Sequence, residues 1–122
     1  MTEADLRIRT KRFAIDAILF ARTLPKDEAS RVISKQFIRC ATSVGANYRS
    51  ACRAKSRPDM ILKLRIVEEE ADESMYWLEL LEETQIVPSE RIEPLRSEAD
   101  QLLRIVVASI RTLKASSEKS KI

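Results

Sequence analysis

The sequence contains no histidine and a single glycine, and each shortage removes a class of function. Without histidine, the chain lacks the commonest general base and the catalytic triads and dyads that depend on it. With one glycine it cannot form a glycine-rich phosphate loop, so the Walker and Rossmann fingerprints are excluded. An enzyme that uses carboxylates, lysines or serines is therefore the weakest of the three functional hypotheses developed below.

Cysteines and aromatic residues are also scarce. Cys40 and Cys52 fall in one predicted helix, about 18 Å apart along its axis at 1.5 Å per residue, so they cannot form a disulfide bond with each other. With no histidine to join them they make a poor zinc site, and we predict neither a metal nor a cofactor. We interpret both as small buried side chains in a mainly aliphatic core.

Long hydrophobic runs are absent as well. No apolar stretch approaches the roughly 20 residues that cross a bilayer, and the N-terminal charges are not followed by the apolar segment of a signal peptide. We therefore expect a soluble, cytoplasmic protein with no membrane partner. The residues that are abundant, among them Leu, Ile, Ala, Glu, Lys and Arg, are typical of an all-helical domain.

Four amphipathic segments are separated by short breaks that contain proline or serine. The expected helices run from about Ala4 to Leu24, from Asp27 to Lys55, from a Ser56 cap to about Gln85, and from a Ser89 cap to about Ala115. Pro94 lies within the fourth segment, so that helix either begins near Glu93 or is kinked in its first turns. The pattern predicts an all-α, antiparallel up-down-up-down four-helix bundle over residues 1–115, with a frayed polar tail over residues 116–122.

The net charge changes sign along the chain. Residues 1–58 contain 13 Lys/Arg against 5 Asp/Glu, whereas residues 59–100 contain 4 against 13. At 100° per residue, cations of the second helix share one stripe opposite its apolar face. We predict that this basic face binds nucleic-acid phosphates through Arg31, Lys35, Arg49, Arg53, Lys55 and Arg57. The alternative is that the stripe pairs with the acidic third helix of the same molecule or of a neighbour.

The third helix has a second apolar set away from its core-facing residues. Such a helix needs two partners, and the second is most simply another subunit. The predicted homo-oligomer interface consists of Leu62, Ile66, Glu69, Glu73, Trp77 and Leu80. In the alternative, Trp77 folds over the end of its own bundle.

Four residues have predicted structural roles. A glycine inside a helix, such as Gly45, lowers the stability of that helix. We expect Gly45 to be there because it lets a neighbouring helix approach closely. Asn47 would fix the register of that neighbour by hydrogen bonding. Glu68 lies at the edge of the core face and needs a partner, for which Arg39 or Asn47 is the candidate. The clustered acids of this helix radiate outward, so they do not suggest a metal site.

Residues 34–81 resemble the four-helix-bundle family encoded in intervening sequences of bacterial 23S ribosomal RNA genes. Members have an Arg before a Ser-hydrophobic-Gly-Ala-Asn segment, then a capped helix with a Glu-rich centre and a Trp-Leu-Glu-Leu-Leu close. The matching residues are Arg39, Ser43, Val44, Gly45, Ala46, Asn47, Glu68, Glu70, Glu73, Trp77 and Leu78. Many members have Glu-Gly shortly after the Asn, where this chain has the basic stretch NYRSACRAK.

The resemblance implies a bundle that assembles as a homopentamer and whose biochemical role is unsettled. The accessory protein of diversity-generating retroelements is similar in fold and is thought to bind nucleic acid together with a reverse transcriptase. By analogy alone, a reverse transcriptase is a partner to consider here.

Three hypotheses follow for the function. The leading one is a non-enzymatic, homo-oligomeric bundle that binds structured RNA or other nucleic acid through the second helix. The rival is a protein adaptor whose basic face docks an acidic protein without nucleic acid. The third is an enzyme that uses the carboxylates of the third helix.

Overall fold

The computed structural model describes the backbone of residues 1–120 and the side chains of residues 1–116, and within that range it has four helices and no strand. Helix α1 spans Glu3–Ala21, α2 spans Glu28–Cys52, α3 spans Arg57–Glu83 and α4 spans Ser89–Ser120. Consecutive helices pack side by side, α1 also touches α4, and the diagonal pairs of described helices do not meet. This is the predicted all-α, antiparallel four-helix bundle.

Side-chain caps set the starts of three helices. Thr2 forms a capping box with Asp5, Asp27 accepts a hydrogen bond from the backbone N–H of Ser30, and Ser56 accepts one from Asp59. The predicted caps Asp27 and Ser56 are therefore confirmed. Each oxygen accepts a bond from an N–H group that the helix itself leaves without a partner.

Helix α4 differs from the prediction at both ends. Ser89 is its first residue rather than its cap, so Pro94 lies inside the helix. The helix does not begin near Glu93, and it continues to Ser120, beyond the expected end near Ala115. Of the predicted frayed tail, residues 121–122 and the side chains of residues 117–120 lie outside the described part of the chain.

The core is aliphatic with a small aromatic contribution. Its largest buried side chains include Phe13, Phe37, Leu64, Leu78, Leu81 and Leu102. The rings of Phe20 and Phe37 meet edge to face, with centroids 5.9 Å apart. Both cysteines are free; Cys40 is buried as predicted, whereas Cys52 is only half-buried. No helix in the described range is long and apolar enough to cross a membrane.

Candidate nucleic-acid interface

Helix α2 presents its cations to solvent along one side. All six residues of the predicted basic face are exposed: Arg31, Lys35 and Arg49 on α2, Arg53 and Lys55 in the turn that follows, and Arg57 at the start of α3. Among the described side chains, none of the six makes an ion pair. The acids of α3 that do form ion pairs are Glu70 and Glu73, which bind Arg39, and Glu82, which binds Arg96. The basic face is thus not neutralised by α3 of the same chain.

Helix α1 adds two cations that the sequence interpretation missed. Arg7 and Lys11 lie on the side of α1 that faces α2, across a groove from Arg49 and Arg53. The groove has a volume of about 530 Å³. The sequence does show that Arg7 and Lys11 are spaced one helical turn apart and so lie on one side of α1. Only the packing of α1 on α2 shows that they lie beside Arg49 and Arg53.

Gly45 accounts for the close packing of α1 on α2. A Cβ atom at this position would lie 3.2 Å from the carbonyl oxygen of Thr10 and 3.5 Å from the backbone nitrogen of Lys11. The backbone of α1 therefore occupies the space that a larger residue would need, which confirms the predicted close approach. As a result, cations from both helices flank one narrow groove.

Two expectations about hydrogen-bond partners were wrong. Arg39 pairs with Glu70, at 3.3 Å, and with Glu73 rather than with Glu68. The side-chain nitrogen of Asn47 donates to the backbone oxygen and the hydroxyl of Ser43, at 2.9 and 2.8 Å. Asn47 thus stabilises its own helix and does not set the register of a neighbour.

Glu73 is the centre of a polar network between α2 and α3. Its carboxylate accepts hydrogen bonds from the Cys40 thiol at 2.9 Å and the Trp77 indole at 3.0 Å, and it also binds Arg39. These donors, the Cys40 thiol first, hold the pKa of Glu73 below its ordinary value. Burial, followed by the bond to Glu73, raises the pKa of Cys40 to about 12. A thiol in this state is a poor nucleophile.

The predicted oligomer interface is only partly free. Leu62 is 58% exposed and Glu69 is exposed, whereas Ile66, Trp77 and Leu80 are half-buried. Trp77 packs against the core of its own bundle, and Glu73 is used in the network with Arg39. Leu62 and Glu69 are therefore available for a contact with another subunit, whereas Glu73 and Trp77 stabilise their own chain.

Helix α1 carries a second exposed apolar surface that was not predicted. Ile8, Ile15 and Leu19 lie opposite the buried face of the helix, and Ile8 is 71% exposed. Their spacing of seven and four residues is visible in the sequence, but it does not show whether a neighbouring helix covers this side of α1.

The structure thus defines an antiparallel four-helix bundle. The six cations of the basic face, together with Arg7 and Lys11 on α1, form what we call its basic edge. The model of one family, described as the 23S rRNA-intervening sequence protein, matches residues 3–108. The chain belongs to this family, as its resemblance had indicated.

A solved structure supports the same assignment. It is described as a protein of unknown function from the S23 ribosomal protein family of Bacteroides thetaiotaomicron, and it is 33% identical to this chain. The match covers 91% of this chain and 99% of the other, with a TM-score of 0.85. Neither description names a catalytic activity. No curated protein matches the chain.

Proposed function

We propose that this protein is a non-enzymatic, homo-oligomeric, cytoplasmic bundle that binds structured RNA or other nucleic acid through its basic edge. The observation that carries the proposal is the row of six exposed cations without an ion pair among the described residues. Exposed Lys and Arg side chains that are free of protein carboxylates can neutralise phosphates and release their counterions. Contacts of this kind position a nucleic acid without reading its sequence.

The exposed apolar residues of α1 and α3 support the homo-oligomeric part of the proposal. Leu62 on α3 and Ile8 and Ile15 on α1 are large apolar side chains that the single chain leaves exposed. A repeated contact between the α1 surface of one copy and the α3 surface of the next forms a ring when the rotation between copies closes. A ring of subunits, as in the expected homopentamer, would multiply a weak basic edge into higher avidity.

The experiment is binding of a labelled, structured RNA to the purified protein across a salt series. We expect a steep negative dependence of affinity on salt and its loss in an Arg49→Glu/Arg53→Glu variant. The matched control is Arg111→Glu/Lys114→Glu, which makes the same charge change on exposed residues of α4, a helix that does not contact α2. Each variant must keep the oligomeric mass of the wild-type protein.

The result that would contradict the proposal is a wild-type protein that binds no RNA or DNA even at low salt. Equal losses in the two variants would also contradict it, because the effect would then come from net charge rather than from the basic edge. If no RNA or DNA binds, docking of an acidic protein on the same edge becomes the better explanation of its exposed cations.

A further inference from the structure

The groove between α1 and α2 brings four cations together from two helices. Arg7 and Lys11 are one turn apart on α1, Arg49 lies in the last turn of α2 and Arg53 is its C-cap, and all four line the same cleft. None of the four makes an ion pair among the described side chains. Two rows of positive charge therefore face each other across one concave space.

Apart from its four cations and Thr42, the groove is lined by small or aliphatic residues, which we call its floor. They are Ala4, Ile8, Ala14, Gly45 and Ala46. The helices meet closely here, because a Cβ atom on Gly45 would lie 3.2 Å from the Thr10 carbonyl oxygen. Because the axes of packed helices lie about 8–10 Å apart, the cleft between them can admit one extended strand, whereas a double helix would rest on its rim.

The lining also sets what kind of contact the groove can make. No aromatic residue lines it, so stacking of bases, the usual platform for single strands, is not available here. Four cations can instead grip successive phosphates from both sides, while the aliphatic floor contacts ribose and base edges. Binding of this kind depends on the backbone and tolerates any sequence.

We infer that the α1–α2 groove binds the phosphate backbone of an unpaired RNA strand, with Arg7 and Lys11 completing a site that α2 alone does not form. The inference rests on the proposed function and sharpens it, because loops and bulges of structured RNA expose such strands. Arg31 and Lys35 lie outside this groove. The nearer of them, Lys35, is about 21 Å from Arg49 along the helix at 1.5 Å per residue. Those two cations belong to the broader edge rather than to the site.

The test compares a labelled oligouridine of about twelve nucleotides with an RNA duplex of the same length. We expect the wild-type protein to prefer the single strand and an Arg7→Gln/Lys11→Gln variant to lose about tenfold or more of that affinity. The charge-matched control is Arg111→Gln/Lys114→Gln, which removes the same charge from exposed residues of α4 and should lose much less of the affinity.

A second variant tests the groove without removing charge. Ala46 is exposed, so Ala46→Leu fills the floor of the groove while leaving the fold intact, and we expect weaker binding of the single strand. Ala108→Leu, at an exposed position of α4, is its control. Binding of oligouridine that survives both Arg7→Gln/Lys11→Gln and Ala46→Leu would overturn the groove assignment and leave the proposed function standing. A wild-type protein that binds neither RNA would overturn both.

Discussion

Gly45 is the residue on which the shape of the basic edge depends. Its hydrogen atom faces the backbone of α1, and the groove exists because the two helices meet there. A Gly45→Leu substitution should lower the free energy of unfolding by about 1–3 kcal/mol, because the added carbons can be accommodated only by moving α1 away from α2. Urea denaturation would measure the change.

Ala46→Leu is a matched control for this prediction. It adds a similar side chain at the next position of α2, where the residue is exposed rather than packed against a backbone. We expect its effect on stability to stay within about 0.5 kcal/mol. Equal stabilities for the two variants would contradict the role given to Gly45.

Glu73 and Glu70 both bind Arg39, yet their pKa values move in opposite directions. Hydrogen bonds from Cys40 and Trp77 lower the pKa of Glu73, whereas burial raises the pKa of Glu70 despite the nearby Arg39. At neutral pH a Glu73→Gln variant should therefore be destabilised by only about 0.5–1 kcal/mol, because the side chain is 38% exposed and solvent screens its charged hydrogen bonds. Glu70→Gln should cost less or stabilise the protein, since it removes a carboxylate that burial disfavours.

The pH dependence provides a sharper measurement. Because the folded pKa of Glu73 lies below its ordinary value of 4.5, the unfolded chain takes up a proton first as the pH falls. The stability that Glu73 contributes is complete well above pH 4.5 and is lost as the pH falls through the folded pKa. The difference in unfolding free energy between wild type and Glu73→Gln should thus shrink below pH 4.5. A difference that stays constant from neutral to acid pH would show that ionisation of Glu73 is not its source.

At the scale of elements, the end of α3 contains an unusual backbone conformation. Gln85 has a φ of 62°, and it lies where the N–H groups of Gln85 and Ile86 bond back to Glu82 and Leu81 in a Schellman motif. Glycine is the usual residue at this position because a Cβ atom is disfavoured there. Gln85→Gly should raise the unfolding free energy by about 0.5–1 kcal/mol, measured by thermal or urea denaturation.

The preceding residue is the control for this prediction. Thr84 has a φ of −85°, which any residue adopts, so glycine relieves no strain there and Thr84→Gly should be neutral or destabilising. A stabilising Thr84→Gly together with a neutral Gln85→Gly would contradict the assignment of strain to Gln85.

The elements themselves were predictable from the sequence, and most of their partners were not. Apolar periodicity and the caps Asp27 and Ser56 locate the helices, because both signals are local. Arg39 forms ion pairs with Glu70 and Glu73 because of how α3 is rotated about its axis relative to α2, and no local sequence pattern encodes that rotation. The basic face of α2 was visible as a stripe, whereas its continuation onto Arg7 and Lys11 required the packing at Gly45.

At the scale of the whole molecule, charge and exposed apolar surface are unevenly distributed. Among the described side chains, the cations without ion pairs are concentrated in residues 1–57, while α3 carries nine of the 19 acids of the sequence. Exposed apolar residues occur on both sides of this division, with Ile8, Ile15 and Leu19 on α1 and Leu62 and Tyr76 on α3. One copy could therefore present the exposed apolar residues of α1 to those of α3 in the next copy.

The proposed self-association gives the last prediction. We expect the wild-type protein to have a mass in solution several times that of one chain, and a Leu62→Glu variant to shift toward the single-chain mass, because a carboxylate would be buried in the contact. Val32→Glu is the matched control, since Val32 on α2 is 55% exposed and Leu62 is 58% exposed. Sedimentation equilibrium over a range of concentrations measures both masses.

A monomeric wild type would contradict self-association, and a Leu62→Glu variant that stays assembled while Val32→Glu dissociates would place the contact on α2. Both positions are exposed in the single chain, so neither substitution should lower the folding stability of that chain much. A lower mass in solution would therefore show that the contact between copies is lost.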